Sequence, residues 1–299
     1  MSEVRTEKLS VSALILSKMK DYGQLAKFRL SSLVVFSSLI GYLFAANGGW
    51  EWSQLILFLT GGFLVTASSN ALNQVIEKEF DRLMNRTMKR PLPDERMSVM
   101  EALLTAGVFG VGGITIFLVY FNQLSAILSA LALLTYAFIY TPLKRFSPIA
   151  VFVGALPGAL PPLIGIVSAA GSITTLGLSL FAIQFLWQFP HFWAVAWVAY
   201  DDYVRAGYHL LPSRSGRTKF SALQTVFYII ALIPVSLVPA WFGFTGVVSA
   251  VVVLLCGLVF LFQALNLFRE CTVPAARKLM FGSFFYLPVV LLALYLDRI

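Results

Sequence analysis

About nine apolar runs divide this chain, at about 30–47, 54–75, 99–120, 124–141, 149–169, 174–198, 221–240, 243–264 and 279–296, each near the roughly 20 residues that cross a hydrocarbon core. No water is available there to satisfy exposed backbone, so segments of this length have to be helices. Only 12% of the residues are charged, against about 25% in an ordinary soluble domain. The expected fold is an all-α, polytopic membrane bundle.

The basic residues set its orientation. Of the 22 Lys and Arg, all but Arg298 precede the first run or fall in the connections after runs 2, 4, 6 and 8. The other connections hold none. Lys and Arg collect in cytoplasmic loops, so the N-terminus and the even-to-odd connections are expected on the cytoplasmic side of a bacterial-type inner membrane. A missed or extra span would scramble this alternation. The expected organisation is a cytoplasmic tail over 1–28, with weak amphipathic character and no cleavage signal, then one transmembrane domain over 29–299. The formal charge of +8 is scattered over separate loops and forms no continuous basic face, which argues against nucleic acid and for membrane lipid and anionic substrates. Cys256 and Cys271 have no recognised spacing, so neither a disulfide nor covalent haem attachment is expected.

Acidic residues other than Glu51 and Asp297 also lie toward the cytoplasmic side, and none sits mid-span, which argues against a proton or ion pump. At the end of the second run, Asn73, Glu77 and Asp81 recur every four residues. At about 100° per residue they drift by only about 80°, so they line one face of a helix. Arg86 and Arg90 follow at once. Hard oxygen donors beside arginines suit Mg²⁺ and a diphosphate, although acidic residues at a membrane boundary also serve as plain interfacial ion pairs. After the sixth run come Asp201, Asp202 and Arg205. Two adjacent carboxylates need either a cation between them or solvent screening, so they form either a second jaw of the clamp or a solvated loop. Lys144 and Arg145 are either topological charges or diphosphate contacts. His191, among Phe and Trp, is either a packing residue or a ligand for a haem iron. Glycines and prolines over 154–165 are expected to bend the fifth span and let a bulky ligand approach the backbone.

Five strings carry a family resemblance: Asn73-x-x-x-Glu77-x-x-x-Asp81 with Arg86-Thr-x-x-Arg90-Pro; Tyr140-Thr-Pro-Leu-Lys144-Arg145; Gly154-Ala-Leu-Pro-Gly-Ala-Leu-Pro-Pro; Trp187-Gln-x-Pro-His191-Phe; and Asp202-Tyr-x-x-Ala-Gly-Tyr-x-Leu-Leu-Pro. The chain resembles the UbiA-type intramembrane prenyltransferases over nearly its whole length, and within them the enzymes that farnesylate haem. Glu77 stands where that family usually has Asp, and Lys27-Phe28-Arg29 where the haem enzymes usually show Lys-Pro-Arg. The resemblance implies farnesyl diphosphate as donor, haem B as acceptor and Mg²⁺ as cofactor. It implies catalytic and metal-binding roles for Asn73, Glu77, Asp81, Asp201 and Asp202. Arg86, Arg90, Lys144, Arg145 and Arg205 would hold diphosphate, and His191 haem. It also implies a haem A synthase or oxidase-assembly partner. Alternatives from other classes are prenyl transfer to a quinone precursor or other aromatic acceptor, a non-enzymatic haem or lipid-diphosphate carrier, and an inverted-repeat transporter.

Overall fold

The computed structural model describes residues 11–213 and 215–299; Arg5, Lys8 and Arg214 of the charge pattern lie outside them. The helices are α1 (Val11–Leu25), α2 (Phe28–Ala46), α3 (Trp52–Asp81), α4 (Val99–Tyr120), α5 (Gln123–Leu134), α6 (Thr141–Leu143), α7 (Ala150–Ala170), α8 (Thr175–Val198), α9 (Tyr200–Arg205), α10 (Lys219–Trp241), α11 (Val247–Glu270) and α12 (Val273–Leu296). A π-helical turn, Thr135–Tyr140, joins α5 to α6. Polar side chains start five of the long helices: Ser98, Asn122, Thr174, Thr218 and Thr272 each accept from the backbone N–H three residues on, which satisfies one of the orphan donors of the first turn.

Among the described residues, eight helices are long and apolar enough to cross a membrane, with α5 through α6 counted as one. The expected crossing at 174–198 is α8, which at 24 residues is long enough but less apolar because Gln184, Gln188 and His191 interrupt it. Its two ends nevertheless lie at opposite ends of the bundle. Asn122, which starts α5, donates to Val167 O near the end of α7 at 2.8 Å, and α8 begins just beyond that point. At its other end α8 leads to Asp202, which meets the α3–α4 loop. Likewise α3 runs 30 residues, beyond the expected stop at 75, and so keeps Glu77 and Asp81 on rigid helix. The C-terminus pairs with the α10–α11 turn through Thr245 and Arg298, which puts Arg298 at the opposite end of the bundle from the other basic loops. Helix α1 is tied to α3 and α4: Asp21 pairs with Arg96, Lys18 with Glu101 at 3.2 Å, and Gln74 Nε2 donates to Leu25 O at 2.6 Å. Cys256 and Cys271 are free thiols.

At the centre lies α7, with 78% of its crossing segment buried. Its prolines explain its neighbours. Pro162 has no N–H, so Gly158 O loses its helical donor; Gln184 Nε2 of α8 supplies one at 2.7 Å. Gln188 Nε2 donates to Ala155 O at 3.0 Å in the same seam. Glycines let α2 press against the other side of α7. A Cβ on Gly165 would run into Ser38 O, and one on Gly41 into Pro162 O, both rigid backbone atoms. Gly165→Ala is therefore expected to lower stability by about 1–3 kcal/mol, the usual cost of overpacking. Thermal denaturation in detergent measures it, and an unchanged midpoint would contradict the close α2–α7 contact.

Candidate active site

The last two turns of α3 turn their polar face inward. Asn73, Glu77 and Asp81 are 1%, 5% and 0% exposed, too buried for interfacial decoration, and each is engaged. Asn73 Nδ2 donates to Glu77 Oε2 at 2.8 Å and to Thr141 Oγ1 at 3.1 Å, while its Oδ1 accepts from Lys27 Nζ at 2.8 Å. Glu77 Oε1 accepts from Tyr208 OH at 3.1 Å and is ion-paired with Lys144. Asp81 Oδ2 pairs with Arg90 Nη1 at 2.7 Å.

The cations differ in how they are held. Burial, then the nearby Arg90 guanidinium, push the Lys27 ammonium well below its ordinary pKa, with Glu77 only partly opposing them. Burial is the largest single influence on Lys144 and disfavours its charge, but the adjoining Glu77 carboxylate and the nearby tyrosines together hold that ammonium above its usual value. Burial and then the Glu77 carboxylate push the Tyr208 phenol up, so it remains a donor. Lys27 itself sits in the left-handed region at φ 47, a conformation that a side-chain-bearing residue keeps only where its surroundings hold it.

The two acidic stretches meet. The backbone N–H groups of Asn85 and Arg86 donate to the Asp202 carboxylate at 3.4 and 3.2 Å, and Arg86 Nη2 donates to Tyr203 OH at 3.1 Å. Arg205 also pairs with Asp202. Asp201 is not brought in: its side chain is 77% exposed and pairs with Arg217 at 3.2 Å. Neighbours on a helix point about 100° apart, so only one of the two carboxylates reaches the facing loop. Arg145 lies over the Phe80 ring at 4.2 Å, at the edge of the cluster. Asp202→Ala removes the acceptor for two backbone donors, and the loosened loop is expected to raise the KM for a substrate held at this cluster about tenfold, the equivalent of roughly 1.4 kcal/mol. Initial rates against substrate concentration check it; an unchanged KM would mean the loop docks without Asp202.

Beneath this cluster opens a mostly apolar cavity with about 1320 Å³ of space free of protein atoms, part of it open to the outside. It reaches from Asn70, one turn before Asn73, past Tyr136 and Tyr140 to Gln184, Trp187 and His191. The π-helical turn sets the two tyrosines: its widened backbone lets Thr141 N–H and Oγ1 both donate to Tyr136 O. His191 Nδ1 lies 2.8 Å from Ser283 Oγ, and its ring stacks on Trp187 at 4.7 Å between centroids.

Sequence reasoning missed Lys27, Thr141 and Tyr208 as partners of the acidic face. Tyr208 stands inside a quoted string, but its approach to Glu77 is tertiary. Among the described residues, no three His, Cys, Asp or Glu side chains gather into a ready metal site. Yet Asp81 Oδ1 is buried without any hydrogen-bond partner, a carboxylate oxygen with unused capacity. That orphan oxygen, backed by the amide and carboxylate oxygens of the same helix face, fits a hard divalent cation such as Mg²⁺.

A helical membrane bundle with a charged cluster at one end, closing an apolar cavity, is built to hold an anionic head above a long hydrophobic tail: an intramembrane transferase of lipid-like diphosphates. The chain belongs to the UbiA prenyltransferase family, whose sequence profile matches residues 34–287. It is 50% identical over 283 residues to the protoheme IX farnesyltransferase of Cytophaga hutchinsonii, covering 95% of this chain and 99% of that one. To the enzymes of that name from Christiangramia forsetii and Flavobacterium johnsoniae it is 42% and 41% identical, covering 100% and 97% of this chain and 98% and 97% of theirs. Its fold matches a structure of digeranylgeranylglyceryl phosphate synthase (TM-score 0.79, 21% identity, 94% of this chain and 98% of that one). It also matches a UbiA homologue from Archaeoglobus fulgidus bound to GPP and Mg²⁺ (TM-score 0.70, 15% identity, 92% and 99%).

Proposed function

We infer that this chain transfers a farnesyl group from farnesyl diphosphate to a vinyl group of protohaem IX (haem B), making haem O. The observation that carries this reading is one continuous cavity, from beneath the charged cluster to His191, in a chain half identical to a protoheme IX farnesyltransferase over nearly its full length. The donor's diphosphate sits among Arg86, Arg90 and Lys144, with its tail in the cavity. These residues hydrogen-bond phosphate oxygens as negative charge builds on the leaving group, and charge-assisted bonds in a dry site are the strong ones. Asp81, with Asn73 and Glu77 on the same helix face and Asp202 against the facing loop, would hold Mg²⁺, which neutralises diphosphate charge when bound. The allylic C–O bond breaks and the pyrophosphate departs. The terminal vinyl carbon of the haem bonds to the farnesyl C1, and water adds to the inner vinyl carbon, losing a proton. Tyr136 and Tyr140 line the cavity near the path of the cation, where an aromatic ring can stabilise positive charge.

The charge pattern supports a bacterial inner-membrane location with the cluster on the cytoplasmic side. A product this apolar calls for direct hand-over, which favours a haem A synthase or an oxidase-assembly partner nearby. The test is mass analysis of products from membranes containing the chain, supplied with farnesyl diphosphate, Mg²⁺, haem B and an aromatic quinone precursor. Haem O is expected and a prenylated aromatic is not; the reverse would replace haem with an aromatic acceptor.

A further inference from the structure

Ser283 lies in the middle of α12, fully buried, next to the cavity-lining Phe284. Its hydroxyl donates to Met280 O, one turn back, at 2.6 Å. A serine carries a single hydroxyl proton. With that proton engaged, the 2.8 Å contact to His191 Nδ1 requires Ser283 Oγ to accept and Nδ1 to carry the hydrogen. The neutral imidazole is thereby fixed with Nε2 bare. Among the described residues nothing hydrogen-bonds Nε2, and His191 lines the cavity. The same serine holds the neighbouring ring: Trp187 Nε1 donates to Ser283 O at 3.0 Å, and the indole stacks on His191 with the planes 14° apart.

We propose that Ser283 is a positioning residue that holds His191 in the Nδ1–H tautomer, so that the free Nε2 ligates the iron of the haem acceptor. This rests on the haem reading above. Metal-binding histidines as a rule donate their other N–H to a fixed acceptor, which sets both the ring orientation and the free lone pair. Here the acceptor comes from a different helix, and Trp187 closes off one face of the ring, so the imidazole has little freedom to turn. Ligation at this point would hold the macrocycle in the cavity against α8 and α12.

The test compares Ser283→Thr, which keeps the hydroxyl, with the isosteric Ser283→Val, which does not, alongside His191→Ala. Haem B is titrated into the purified proteins and read by visible and resonance Raman spectra. Retained affinity for farnesyl diphosphate reports that each variant is folded. Ser283→Thr is expected to match the parent. Ser283→Val is expected to lose about 10–100-fold in haem affinity and to lose the iron–imidazole signature, as His191→Ala does. A parent-like spectrum and affinity in Ser283→Val would overturn the role of Ser283. An unchanged iron–imidazole signature in His191→Ala, with haem O still formed by the parent, would overturn the ligation and leave the haem reading standing. No haem O from the folded parent would remove both.

Discussion

Asp81→Asn should lower haem O formation by on the order of 10²–10³-fold, the usual loss when one group that stabilises developing charge is removed from a dry site. The substitution keeps the size of the side chain and a carbonyl oxygen toward Arg90, so the local fold is expected to persist. It removes the charge of the one acidic oxygen in the cluster that is buried without a partner. The loss should therefore fall mainly on kcat rather than KM, and excess Mg²⁺ should recover only part of it. Initial rates by product mass analysis measure the effect. A variant within tenfold of the parent would show that charge at Asp81 is not what the departing diphosphate needs.

The second large effect is on stability. Lys144 and Glu77 form an ion pair whose side chains are only 11% and 6% exposed. Removing one partner of a buried pair strands the other, at a cost of about 3–5 kcal/mol, whereas replacing both by neutral groups of similar size is often close to neutral. Lys144→Met should therefore destabilise the protein by about that amount. Adding Glu77→Gln, which still accepts from Tyr208, should restore most of it while leaving the enzyme inactive. Thermal or denaturant unfolding in detergent measures the first result and product analysis the second. A double variant no more stable than Lys144→Met would mean that the two charges do not depend on each other.

The fold was legible because two independent patterns, apolar length and alternating basic loops, had to agree. Where they were imperfect, the cause is local chemistry. Helix α8 carries two glutamines and a histidine and looks less like a membrane span, yet Pro162 on α7 explains why Gln184 is there. Helix α3 outruns its apolar stretch because Asn73, Gln74, Glu77 and Asp81 face a protein interior rather than water. At the site, the four-residue spacing of Asn73, Glu77 and Asp81 was enough to place them on one face, since that follows from helix geometry alone. Which donor meets which oxygen was not, because Lys27, Lys144 and Tyr208 arrive from three separate connections. Asp201 and Asp202 are chemically alike in sequence, and only the position of the facing loop separates them. Ser283 gave no signal at all: one serine in an apolar helix is ordinary until its partners are seen.

The most direct measurement is an experimental structure of the protein with Mg²⁺ and a non-hydrolysable farnesyl thiodiphosphate. It should show metal bonded to Asp81 Oδ1, phosphate oxygens within hydrogen-bond reach of Arg86, Arg90 and Lys144, and the isoprenoid chain running down the cavity toward His191. A diphosphate bound elsewhere, with Asp81 still paired only to Arg90 and the cavity empty, would contradict the account.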